Sequence, residues 1–84
     1  MSKEILQFSA NWCQPCKTLS PIMEKLKSEG KITYRKIDVD TDTELSVKYG
    51  VRNIPTLILL ENGEVKNRLT GLQSEQQLIN FYNG

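Results

Sequence analysis

Two cysteines three residues apart, Cys13 and Cys16, are the residues of this sequence best suited to do chemistry. If they open a helix, that spacing puts both on one face, one turn apart and close enough for a disulfide to join them. A thiol at a helix start meets unpaired backbone N–H groups and the positive end of the helix dipole, and both favour the thiolate. Cys13 is placed to be the attacking thiol and Cys16 to resolve the mixed disulfide that follows. A fall in the Cys13 pKa from ~8.5 to ~7 would raise its thiolate fraction roughly fifteen-fold and lower its intrinsic nucleophilicity about five-fold, a net gain of only about three-fold. The larger advantage lies in Cys16, which replaces a slow second collision with an intramolecular step.

Two other readings of the pair stand beside this one. Free cysteines are often small inert core residues. A Cys-x-x-Cys pair can also be half of a metal site, but a structural zinc site wants four ligands and this chain offers two cysteines and no histidine. Zinc or an iron–sulfur cluster would need a second chain or outside thiols, so no metal is expected.

The 84 residues, 25% charged and 38% hydrophobic, fit one soluble domain spanning residues 1–84. Net charge is +1, from 11 basic and 10 acidic residues mixed along the chain, which argues against nucleic acid as a partner. The start Met1-Ser2-Lys3-Glu4 is not a secretory leader, and the apolar run Leu57 to Leu60 is far too short to span a bilayer. A cytoplasmic location is therefore expected, where a purely structural disulfide would be reduced by the thiol pool.

The elements that must position the cysteines follow from periodicity and turn chemistry. Glu4 to Ser9, with Ile5, Leu6 and Phe8, reads as a buried strand running into Ala10-Asn11-Trp12-Cys13. A helix follows, with Leu19, Ile22, Met23 and Leu26 on its apolar face, Pro15 in its first turn, a kink expected at Pro21 and a stop at Gly30. Ile32 to Asp38 reads as a second strand, and Thr41 with Glu44 as the capping box of a short helix stopped by Gly50. Thr56 to Glu61 is a third, nearly all-apolar strand, and Asn62-Gly63 predicts a hairpin to an antiparallel edge strand over Glu64 to Leu69. Ser74 and Gln77 cap a final helix with Leu78, Phe81 and Tyr82 on one face. The order βαβαββα predicts an α/β fold, a four-stranded mixed sheet with helices on both faces and its first two strands parallel through a right-handed crossover.

The segment Trp12-Cys13-Gln14-Pro15-Cys16-Lys17 resembles the thioredoxin active-site motif, with Gln14 where glycine is commonest. Asp38-Val39-Asp40, the run Lys48 to Thr56, Glu61-Asn62-Gly63-Glu64 and Gly71 resemble the same family in the same order and at nearly the same spacings. The resemblance covers essentially the whole chain and implies the thioredoxin fold in a compact form, without the usual N-terminal strand and helix. It implies that Pro55 is a cis-proline facing the cysteines, that Ile54 offers backbone groups to an extended substrate, that Trp12 shields the disulfide, and that Gly71 lets substrate approach the backbone. The sequence by itself allows blander roles: a trans-proline opening a strand, a packing aromatic and a turn glycine. Lys36 corresponds to a family lysine near the active site or is simply a solvated strand lysine.

Gln7 departs from the family, which usually has a buried aspartate there; an amide keeps the hydrogen bonding but cannot titrate. Ser9 likewise stands where the family has a second tryptophan. The resemblance implies a monomeric thiol–disulfide oxidoreductase that reduces protein disulfides, is regenerated by a thioredoxin reductase or equivalent donor, and carries electrons in its own disulfide without a cofactor. A glutathione-linked, glutaredoxin-like reductant and a binding subunit of a larger complex are the alternatives.

Overall fold

The alternating apolar residues near the N-terminus form the strand β1 (Lys3–Ser9), which lies inside the sheet and is buried from Ile5 onward. In this computed structural model, which describes residues 2–84, it is followed by α1 (Gln14–Ser28), β2 (Tyr34–Asp38), α2 (Thr43–Lys48), β3 (Thr56–Glu61), β4 (Glu64–Thr70) and α3 (Glu75–Asn83). The sheet order is β2-β1-β3-β4, with β1 parallel to β2 and antiparallel to β3, and β3 antiparallel to β4. This is the mixed four-stranded sheet and the element order that the sequence predicts.

Side-chain alternation on β1 divides the core in two. Ile5 faces α1 and α3, packing with Leu19, Met23, Leu26, Leu78 and Phe81. Leu6 and Phe8 point the other way, joining Ile58 and Leu60 under Leu45 and Tyr49 at the α2 end. Both faces of the sheet are therefore covered, which explains why Leu57 to Leu60 is a continuous apolar run.

Local chemistry sets the boundaries. Asn62 and Gly63 both take positive φ, 54° and 84°, the conformation of a two-residue hairpin turn. The capping box of α3 is present, Ser74 and Gln77 each bonding the other's backbone N–H at 3.2 and 2.8 Å. The expected Thr41/Glu44 box is replaced: Asp42 is the cap of α2, its Oδ1 accepting the Leu45 N–H at 3.2 Å. Asp38 closes a turn over the residues that lead into α2, its carbonyl oxygen accepting the Asp42 N–H at 2.8 Å, and this leaves Thr41 inside the turn, one residue short of the capping position. Ile32 is buried but precedes β2, which starts at Tyr34. A register shift between Leu59 and Leu60 marks a β-bulge against β4.

Candidate functional site

The site lies where β1 runs out and α1 begins. Ala10 C=O accepts the Cys13 N–H at 3.2 Å, turning the chain so that Cys13 becomes the N-cap of α1 in an extended conformation. Its Sγ accepts the Cys16 N–H at 3.3 Å, the role a serine or aspartate oxygen plays at other helix starts. Pro15 occupies the first turn, where its missing N–H costs nothing, and Gln14 beside it is exposed. Cys13 and Cys16 are joined as a disulfide, with Cα atoms 5.2 Å apart. They are 4% and 1% exposed and form a small apolar cluster with Ala10, against which Val39 and Ile54 pack.

Pro55 follows a cis peptide bond from Ile54, as the resemblance implies. Its carbonyl oxygen accepts the Gly71 N–H at 2.8 Å, and Gly71 has φ +91°, which a side chain would strain. Ile54, Pro55 and Gly71 are thus brought to one end of the sheet, with Ile54 reaching the cysteine cluster.

Trp12 lies 68% exposed immediately before Cys13, and its Nε1–H donates to Asp40 Oδ2 at 2.9 Å. Asp40 is itself held by its N–H bond to Asp38 Oδ1 at 2.9 Å. The Asp40 contact was not anticipated, although Asp40 lies in a segment that carries the resemblance. Lys36 is exposed and lines a shallow cavity of about 270 Å³ with Ser9, Ala10, Asn11 and Asp38.

Gln7 is completely buried on the α1 side of the sheet. Its Nε2 donates to Ser20 Oγ at 3.3 Å, and Ser20 Oγ in turn donates to the Cys16 carbonyl oxygen at 3.0 Å. Because the Ser20 hydrogen is spent on that carbonyl, Ser20 can only accept from Gln7, which fixes the amide with Nε2 toward α1. Gln7 Oε1 is then buried without a partner among the described residues, an arrangement that costs about 1–3 kcal/mol. Ser20 escaped the sequence reading; its i,i+4 spacing from Cys16 is the signal that could have found it.

Among the described residues no group of three or more His, Cys, Asp and Glu side chains is placed to hold a metal ion, and no helix is long and apolar enough to cross a membrane.

A family model described as Thioredoxin matches residues 1–83. The chain is 39% identical over 79 residues to a mitochondrial thioredoxin of Mus musculus, covering 92% of this chain and 48% of that protein. It is 40% identical over 81 residues to a thioredoxin of Rickettsia bellii, covering 94% and 77%. The chain therefore spans about half the length of its mammalian relatives and about three quarters of the rickettsial one. A mutant thioredoxin from Halobacterium salinarum superposes with a TM-score of 0.90 at 38% identity, covering 96% of this chain and 72% of that one. With the element order, the bridged cysteines at the helix start and a match along nearly its whole length, the chain belongs to the thioredoxin family.

Proposed function

We propose that the chain is a thiol–disulfide oxidoreductase that reduces protein disulfides by dithiol exchange. The observation that carries this reading is the disulfide bridging the N-cap and first turn of α1, with the Cys13 Sγ already receiving a backbone N–H. In the dithiol form the Cys13 thiolate attacks one substrate sulfur, forming a mixed disulfide and expelling the other sulfur as a thiolate. Cys16 then loses its proton and attacks Cys13 Sγ, releasing the second substrate thiolate and closing the Cys13–Cys16 bond. Two electrons pass to the substrate, whose two thiolates take up one proton from Cys16 and one from solvent, and an outside dithiol donor of the thioredoxin reductase kind returns the electrons.

Trp12, Ile54, Pro55 and Gly71 form the rim that receives an extended substrate segment, and Gln7, Gln14, Pro15 and Lys36 support the cysteines. The electrons are carried by the cysteine pair itself, without a bound cofactor. The chain acts as a monomeric single domain in the cytoplasm, in electron transport and redox homeostasis, with neither nucleic acid nor membrane as partner.

The test is turnover of a protein disulfide by the chain with a flavoprotein reductase and NADPH, set against glutathione as donor. Turnover with the reductase and its loss in Cys13→Ser are expected. Turnover surviving Cys13→Ser would refute the reading, and turnover with glutathione alone would replace the donor.

A further inference from the structure

We propose that Gln7 is a positioning residue for the resolving thiol: its Oε1 accepts the Cys16 S–H when the disulfide is reduced. The inference rests on the dithiol-exchange reading above and deepens it.

The structure shows the disulfide state, in which Gln7 Oε1 has no donor among the described residues. A buried polar atom left in this condition calls for a reason. Gln7 is fixed by Ser20, one helical turn beyond Cys16 and on the same inward face of α1, so its amide lies against the part of the helix that carries Cys16. Reduction adds two electrons, supplied here by a dithiol that is itself oxidised to a disulfide, and one proton, which is kept by one of the two sulfurs. Cys13, at the helix start, is favoured as a thiolate and wants donors. Cys16, 1% exposed, keeps its proton and gains a donor that cannot reach bulk water. The reaction thus creates a buried donor beside a buried acceptor that the oxidised fold leaves unpaired. Because an amide cannot titrate, it can hold the Cys16 proton without competing for it.

The consequence is a shift in redox equilibrium. Gln7 contributes to the reduced state a bond that the oxidised state lacks, whereas its bond to Ser20 is unaffected by the cysteines and cancels. Gln7→Met keeps the volume and removes the amide. Equilibrated against dithiothreitol and its disulfide, this variant should hold the Cys13–Cys16 bond about two- to fivefold more strongly, the worth of a weak thiol hydrogen bond. At 29.6 mV per tenfold, that is about 10–20 mV toward a more negative potential. Equal constants would mean that the Gln7 oxygen has the same partner in both states, or that Cys16 donates to Cys13 instead, and either overturns the proposal; so does a shift of opposite sign.

An independent readout does not depend on that variant folding. In Cys13→Ala, Cys16 carries the chain's only thiol, and its infrared S–H stretch should lie at the lowered frequency of a hydrogen-bonded thiol. A band at the frequency of a free thiol overturns the assignment. Absence of protein-disulfide turnover in the unmodified chain would instead refute the functional reading, leaving the dithiothreitol comparison measurable.

Discussion

Reduction should cost the fold a small, calculable amount of stability. The disulfide closes a ring of four residues, Cys13 to Cys16, and the loop-closure relation gives about 6 cal/mol/K for a ring that short, or ~1.9 kcal/mol at 25 °C. Opposing this, reduction frees Cys13 as a thiolate at the N-cap, where a negative charge contributes about 0.3–1 kcal/mol and the Cys16 N–H is already directed at the sulfur. The reduced form should then be less stable by about 1–1.5 kcal/mol at neutral pH, and for a domain of this size the melting temperature should drop by about 4–12 °C. Acidification should widen the gap. Protonating the Cys13 thiolate removes the negative charge from the N-cap of α1 and with it that contribution. The disulfide form has no such group, so the difference should approach ~1.9 kcal/mol in mild acid. The assay is thermal unfolding followed by circular dichroism, with and without excess dithiothreitol, at neutral and mildly acidic pH. A reduced form as stable as the oxidised one, or a gap that narrows in acid, would refute the reasoning, because the cap would then outweigh ring closure.

Other consequences are as direct. Cys16→Ser should accumulate a mixed disulfide through Cys13 with a protein disulfide substrate, read by mass spectrometry; trapping through Cys16 in Cys13→Ser instead would reverse the roles. Asp40→Ala should release the indole of Trp12, the only tryptophan, and lower its fluorescence anisotropy while changing stability by less than ~1 kcal/mol, since the pair is exposed. The Tyr34 hydroxyl, pushed well above its ordinary range by burial and by its hydrogen bond to the Glu24 carboxylate, keeps its proton in the fold after the unfolded chain has lost it. Stability should therefore fall as pH rises above ~10, and Tyr34→Phe should flatten that slope in urea titrations at alkaline pH.

Which of these features could be read from the sequence depends on how far apart the interacting residues lie. The hairpin at Asn62-Gly63, the Ser74/Gln77 cap and the apolar face of α1 are local patterns, and each is found where the pattern places it. The Asp42 cap was missed because Thr41 and Glu44 have the spacing of a capping box, whereas the turn closed by Asp38 sets the start of the helix one residue later. The Trp12–Asp40 bond spans 28 residues and the Gln7–Ser20 bond 13, and both exist only because the sheet and α1 have already assembled. The bulge at Leu59/Leu60 is a matter of pairing register, which an almost uniformly apolar strand does not specify. The cis bond at Pro55 came from family resemblance alone, since base rates for X-Pro bonds favour trans.

The placement of the cysteines outside the two main cores bears on how the protein opens. Cys13 and Cys16 pack in a satellite of Ala10, Val39 and Ile54 at the end of the sheet, whereas Ile5, Leu57 and Leu59 are locked between β1, β3 and the α1/α3 layer. A satellite with so little apolar surface can part by local fluctuation while the sheet stays intact. Amide protons at the start of α1 and around Ile54 should exchange with solvent through such sub-global openings and be insensitive to low urea. Those of β1 and β3 should wait for global unfolding. Cys13, nearly sealed at rest, would then meet an outside disulfide during brief excursions of one corner of the molecule, and the excursion frequency would set an upper limit on the first attack.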